Sequence, residues 1–72
     1  QLEARELGRL LDAFLRQQTE ENRLVFIRRF WYGDTIGEIA ARYGIGESAV
    51  RMRLNRTKDK LSAYLEKEGI QV

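Results

Sequence analysis

TIGEIAARYGIGESAVRMRLNRTKDKL, residues 35 to 61, is the stretch whose reading decides the fold of this 72-residue chain. Thr35 stands three residues before Glu38, the capping-box spacing that satisfies free backbone N–H groups at a helix start. Ile36, Ile39, Ala40 and Tyr43 then recur at helical period. Gly44 ends that helix, because the residue just past a helix often needs positive φ, which glycine reaches without Cβ strain; apolar Ile45 can then fold back on Ile39 and Ala40. A second helix follows with arginines on its outward face. The spacing from Ala40 through Gly44 to Val50 is that of a helix-turn-helix, in which two helices cross closely and the second is presented to a major groove.

The flanking segments read as two more helices and no strands. Leu7, Leu10, Leu11, Phe14 and Leu15 recur at i, i+3, i+4, i+7 and i+8, which makes residues 3 to 17 an amphipathic helix, slightly weakened by Gly8. Thr19 can cap a helix over residues 20 to 32, with Glu20 and Glu21 suited to its positive end and Gly33 to stop it. That segment carries Leu24, Val25, Phe26, Ile27, Phe30 and Trp31, so it is expected to be the central core helix. The helix-turn-helix pair is expected over 35 to 43 and 47 to 68, where Gly69 offers a left-handed cap and Ile70 can return onto Leu65. The fold class is therefore all-α: a small four-helix domain with a C-terminal helix-turn-helix, spanning residues 1 to 72 as a single unit.

Composition narrows the function classes. At 72 residues, 43% apolar and 33% charged, the chain is one small globular domain with a modest core. No stretch approaches the roughly 18 to 20 apolar residues of a membrane span, and the start lacks a signal-peptide layout, so a cytoplasmic protein is expected with no membrane contact. Without histidine or cysteine, the usual general base, thiolate chemistry and the commonest transition-metal ligands are missing. Ser48 and Ser62 have no histidine to activate them and no acid cluster has metal-ligand spacing, so no catalytic residue, metal or cofactor is expected. The chain starts at Gln1 and its single methionine is Met52, which suggests a domain excised from a longer protein.

Charge is unevenly placed. Residues 1 to 34 hold six arginines against six acids, whereas residues 35 to 72 hold seven basic residues against five acids. From Arg42 to Lys60 the excess reaches +4, with Arg42, Arg51, Arg53, Arg56, Lys58 and Lys60 opposed by Glu47 and Asp59. A basic stripe on the second helix and its approach fits phosphate binding. At 100° per residue, Val50, Leu54, Thr57 and Leu61 share an arc with Leu65 alongside, and must face the other helices. Ser48, Met52, Asn55 and Asp59 lie opposite. Arg51 and Arg56 flank that outward face; Arg53 and Lys60 sit on one shoulder and Lys58 on the other, where they reach phosphates.

These residues resemble the helix-turn-helix of region 4 in bacterial RNA polymerase sigma factors, sigma-70-like and extracytoplasmic-function-like. The shared elements are Glu38-Ile39-Ala40, Gly44-Ile45, Val50-Arg51-Met52-Arg53-Leu54-Asn55-Arg56 and Lys60-Leu61. The likeness extends upstream through EENRLVFIRRFWYGDT and covers roughly residues 19 to 65. Departures are Gly46 where many relatives have Ser or Pro, Asp34 for a commonly apolar residue, and Gln18-Thr19 for a frequent Leu-Pro.

The resemblance implies promoter recognition without catalysis. In the family, region 4 reads the −35 promoter element and docks on the flap of the polymerase β subunit. Expected partners are thus double-stranded promoter DNA, the RNA polymerase core and an anti-sigma factor, with the chain itself a monomer. Carried over by position, Ser48, Arg51, Met52, Asn55 and Arg56 would meet base edges or the groove, and Thr35, Arg42, Arg53, Lys58 and Lys60 phosphates. Side-chain chemistry allows this independently: arginine donates twice to guanine, asparagine pairs with adenine, and methionine touches a thymine methyl. Arg53 is alternatively expected to brace the turn through Glu38.

Two other classes share parts of this pattern. One is a different helix-turn-helix regulator, such as a response-regulator output domain or a recombinase's DNA-binding tail. The other is a protein-interaction module in which Leu10, Phe14, Phe26, Phe30 and Trp31 contribute a groove. Core packing is the expectation for most of those five, since an 8.5 kDa helical domain needs nearly all its large apolar groups inside.

Overall fold

A computed structural model describes residues 3–70; the two residues at each end of the expected 1 to 72 domain lie outside it. Among the described residues there are four helices and no strand: α1 (Ala4–Arg16), α2 (Glu20–Phe30), α3 (Ile36–Tyr43) and α4 (Glu47–Lys67). Each lies within two residues of its expected bounds.

The ends of the helices follow from local chemistry. Thr19 Oγ1 accepts the Asn22 N–H at 3.2 Å and opens α2. At α3 the capping box closes in both directions: Thr35 Oγ1 accepts from the Glu38 N–H at 3.0 Å, and Glu38 Oε1 accepts from the Thr35 N–H at 2.8 Å. Gly44 takes φ 66° and donates its N–H to the Ala40 carbonyl, so the chain turns into α4 within three residues. Gly46 caps α4 without a side-chain bond, which relative to serine or asparagine costs only a few tenths of a kcal/mol. At the far end Gly69 is left-handed and the Ile70 N–H reaches the Leu65 carbonyl at 2.8 Å.

The core lies around α3 and α4. Ile39 and Val50 are wholly buried, and Val25, Ala40 and Leu54 complete the cluster, with Ile36, Tyr43 and Ile45 packed against it. Burial of Ile39 and Val50 contributes about 1.5–3 kcal/mol each. The inward stripe of α4 is as the helical wheel requires: Val50, Leu54, Thr57 and Leu65 are buried and Leu61 is half-buried.

The expectation that α2 is the central core helix is corrected. Val25 is its one fully buried residue; Phe26 and Ile27 are half-buried, while Leu24, Phe30 and Trp31 are exposed. Apolar residues surround much of α2, and in a four-helix chain only one of its sides can meet α3 and α4. The expected core role of Phe30 and Trp31 fails for the same reason, and Leu10 is only half-buried; Phe14 does enter the core. Helix α1 is similarly one-sided: Phe14 is buried with its ring centroid 5.5 Å from that of Tyr64, Leu11 and Leu15 are half-buried, and Leu7 is exposed. Arg23 ties the end of α1 to α2, its Nη1 donating to the carbonyls of Leu15 at 3.3 Å and Gln18 at 3.4 Å.

Candidate nucleic-acid interface

Because Val50, Leu54 and Thr57 are clamped inward, the opposite face of α4 has to point to solvent. Ser48, Met52 and Asn55 lie on that face, Arg51 and Arg56 flank it, and all five are exposed. Met52 leaves half of its surface in water. The structure thus gathers the five expected base-facing residues over little more than two turns of one helix, about 12 Å long at 1.5 Å per residue. That length matches a major groove about 12 Å wide.

The residues expected at phosphates are more dispersed. Thr35 and Arg42 sit at opposite ends of α3, both exposed, with the Thr35 hydroxyl already accepting the capping bond. Lys58 and Lys60 lie further along α4, both exposed. Lys60 is about 18 Å along the axis from Ser48, beyond the reach of the same groove floor. The Lys58 ammonium stands 6.0 Å from the centroid of the Phe30 ring, so this side of α4 borders the aromatic end of α2. Among the described residues Arg42, Arg56, Lys58 and Lys60 make no ion pair, which leaves their charge available to an anionic partner.

Arg53 differs from that group. Its Nη2 lies 2.8 Å from Glu21 Oε2 and its Nη1 donates to Asn22 Oδ1 at 3.1 Å, so it braces α4 against the start of α2. The expected brace through Glu38 is corrected: the Glu38 carboxylate is occupied by the Thr35 N–H. Arg53 also closes an apolar hollow lined by Leu24, Val25, Tyr43 and Ile45.

Two further features escaped the sequence reading, and a third was read there only in part. Asp34 is held between helices, accepting from Arg28 Nε at 2.7 Å on its carboxylate and from Arg29 Nη1 at 2.9 Å on its carbonyl, which locks the α2–α3 turn. The hydrogen bond that Arg28 donates to Asp34 raises the already high pKa of Arg28, whose guanidinium also lies 4.3 Å from the Tyr32 ring centroid. Glu47, first residue of α4, pairs with Arg51 at 3.4 Å; the i, i+4 spacing could have shown this. Its other carboxylate oxygen would lie 3.4 Å from a Cβ at Gly37 of α3. The third is an apolar groove where α1, α2 and α4 meet, lined by Leu11, Leu15, Phe26, Phe30, Trp31 and Leu61; of the five residues expected to contribute a groove in a protein-interaction module, Phe26, Phe30 and Trp31 line it and Leu10 and Phe14 do not. Phe26 and Phe30 meet within it at 4.8 Å between centroids, their rings tilted by 45°.

The arrangement is suited to binding. No group of three or more acids that could hold a metal occurs among the described residues, and no described helix is long and apolar enough to cross a membrane. A family model described as Sigma-70, region 4 matches residues 14–63. The match takes in the end of α1, all of α2 and α3, and α4 as far as Ala63, more than half of the chain. No curated protein matches the chain.

Proposed function

The chain belongs to the sigma-70 region 4 family of non-catalytic helix-turn-helix domains that bind DNA and RNA polymerase, and from that premise we propose that it reads the −35 promoter element. The first turns of α4 enter the major groove. Arg51 and Arg56 donate to guanine, Asn55 pairs with adenine, Met52 touches a thymine methyl and Ser48 lies at the helix start. Thr35, Arg42, Lys58 and Lys60 bind phosphates and set the register, while Arg53 holds α4 on α2. The single observation that carries this reading is the exposure of Ser48, Arg51, Met52, Asn55 and Arg56 on one side of a helix whose other side is buried.

Residues 1 to 72 act as one monomeric unit of a longer cytoplasmic sigma factor. The groove bordered by Phe26, Phe30 and Trp31 offers the apolar surface for the polymerase β flap, and an anti-sigma factor would compete by covering it. Exposure of a Trp at 83% supports an interaction role for this side, because large aromatic side chains are enriched in protein interfaces.

Two substitutions test the DNA reading by fluorescence anisotropy on a −35 duplex and a scrambled one. Arg56→Ala is expected to remove about 1–3 kcal/mol of discrimination between the two. Lys58→Ala is expected to weaken both equally and to reduce the log–log salt slope by about 0.9, the value of one phosphate contact. Equal losses on both duplexes for both variants would remove the base-reading assignment. A complex insensitive to salt would point instead to a protein partner.

A further inference from the structure

We propose that the aromatic run at the end of α2, Phe30, Trp31 and Tyr32, is a stacking platform for single-stranded RNA. The inference goes beyond the −35 reading and does not depend on it. The three rings follow one another in the chain and are exposed at 53%, 83% and 61%, whereas Leu11, Leu15, Phe26 and Leu61 of the adjoining groove are half-buried. The rings therefore stand out from the groove that a protein partner would fill. Trp31 makes no aromatic or cation–π contact among the described residues. Tyr32 is held in place, with the Arg28 guanidinium 4.3 Å from its ring centroid and that guanidinium fixed in turn by Asp34. A ring ordered beforehand loses little conformational freedom on binding.

Charge on this side favours an anion. Its acids are already paired, Asp12 with Arg16 at 3.0 Å and Asp34 with Arg28 at 2.7 Å. Its cations Arg29 and Lys58 are exposed and make no ion pair among the described residues. Both line a cleft that has Phe30 as a further wall, and the Lys58 ammonium stands 6.0 Å from that ring's centroid. When Lys58 holds the duplex, Arg29 remains for a second strand. An acidic peptide would satisfy the cations and leave the rings in water; an apolar helix would do the reverse. Nucleic acid carries both complements, a charge on each phosphate and a flat π-surface on each base, and stacking of a base on an aromatic ring tolerates any sequence. In a duplex those surfaces are closed inside the helix, so the platform needs an unpaired strand. RNA presents unpaired bases in loops and ends, whereas DNA read through its grooves is paired. RNA is therefore the strand assigned.

The single tryptophan of the 72-residue chain reports on the platform directly. The chain is titrated with an oligouridylate of about 15 nucleotides at about 50 mM salt, where phosphate attraction strengthens binding. Trp31 emission is followed and, with labelled RNA, fluorescence anisotropy. Stacking is expected to quench the emission, and the same strand annealed to oligoadenylate is expected to leave it unchanged. Trp31→Leu, apolar but without a π-face, is expected to weaken binding by about 5- to 150-fold, the loss of one stacked base. Trp31→Phe keeps a ring and is expected to retain most of the affinity. Arg29→Ala is expected to lower the log–log salt slope by about 0.7, the value of one single-strand phosphate contact. Trp31 is so exposed that both of its variants keep the fold, which a thermal melt verifies. Absence of quenching overturns the proposal, as does equal quenching by the annealed duplex. Binding by Trp31→Leu as tight as by the wild-type chain overturns it too, since apolar contact alone would then suffice. Quenching by vesicles of anionic phospholipid and not by the RNA gives the rings to a membrane surface instead. An oligothymidylate of the same length that binds about tenfold more tightly overturns the assignment to RNA in favour of DNA.

Discussion

Ile39 and Trp31 are both large and apolar, yet Ile39 is 0% exposed and Trp31 83%. Removing Ile39 leaves a cavity between α3 and α4 that the neighbours Val50 and Leu54 fill only in part. Ile39→Ala is expected to cost about 2–5 kcal/mol, a large share of the stability of so small a domain. Trp31→Ala is expected to change stability by less than about 0.5 kcal/mol. Urea denaturation of the three proteins checks both figures, and a Trp31→Ala loss above 2 kcal/mol would return that residue to the core. Single residues were legible in the sequence where helical period alone determines their side, as for Val50, Leu54 and Thr57 inward and Met52 and Asn55 outward. Residues whose place depends on another element were not. Arg53 finds Glu21 and Asn22 some thirty residues away, and Asp34 finds Arg28 across a turn, pairings with no fixed sequence spacing. The Arg28 pKa is raised by its hydrogen bond to Asp34, so the arginine's contribution is present below the unfolded arginine value and is lost by deprotonation of Arg28 only in strong alkali, outside any working range.

At the scale of elements, the two ends of α3 set the geometry of the motif. The Thr35–Glu38 box satisfies two backbone donors at its start. Thr35→Ala is expected to cost about 0.5–2 kcal/mol and Thr35→Ser to restore most of it. Gly44 at φ 66° is the joint between the helices, and although nothing lies within 4 Å of a Cβ there, the left-handed backbone disfavours one. Gly44→Ala is expected to lower stability by about 1–2 kcal/mol, with Gly44→Asn milder because asparagine tolerates this conformation. Thermal melts of the four variants check these values; a neutral Gly44→Ala would mean that the turn has another conformation. Helix bounds were readable to within two residues because caps and glycines act locally. The rank of α2 in the core was not, since hydrophobicity shows how much surface a helix offers and not how much its neighbours can cover. The groove beside Phe26 and Phe30 arises from that shortfall.

The whole molecule measures 38 × 19 × 19 Å, drawn out along α4. One rod therefore serves two ends: its first turns cross α3 and carry the exposed arginines, and its last turns receive α1. The two attachments are unequal. Around α3 and the first half of α4, five buried residues form one cluster, whereas α1 is held mainly by Phe14 against Tyr64 and by half-buried leucines. Unequal burial implies unequal opening free energies, since local unfolding follows the density of apolar contacts. Amide hydrogen exchange is expected to label Ala4–Arg16 first, while the hydrogen-bonded amides of Ile39 to Tyr43 and of Val50 to Leu54 wait for global unfolding, with a tenfold rate difference for each 1.4 kcal/mol separating the two. Equal uptake in both segments would mean a single cooperative unit. With the gradient as expected, α1 is a separate foldon: it can melt and re-form while the helix-turn-helix keeps its shape, and a ligand gripping α1 would register as slowed deuterium uptake far from any base.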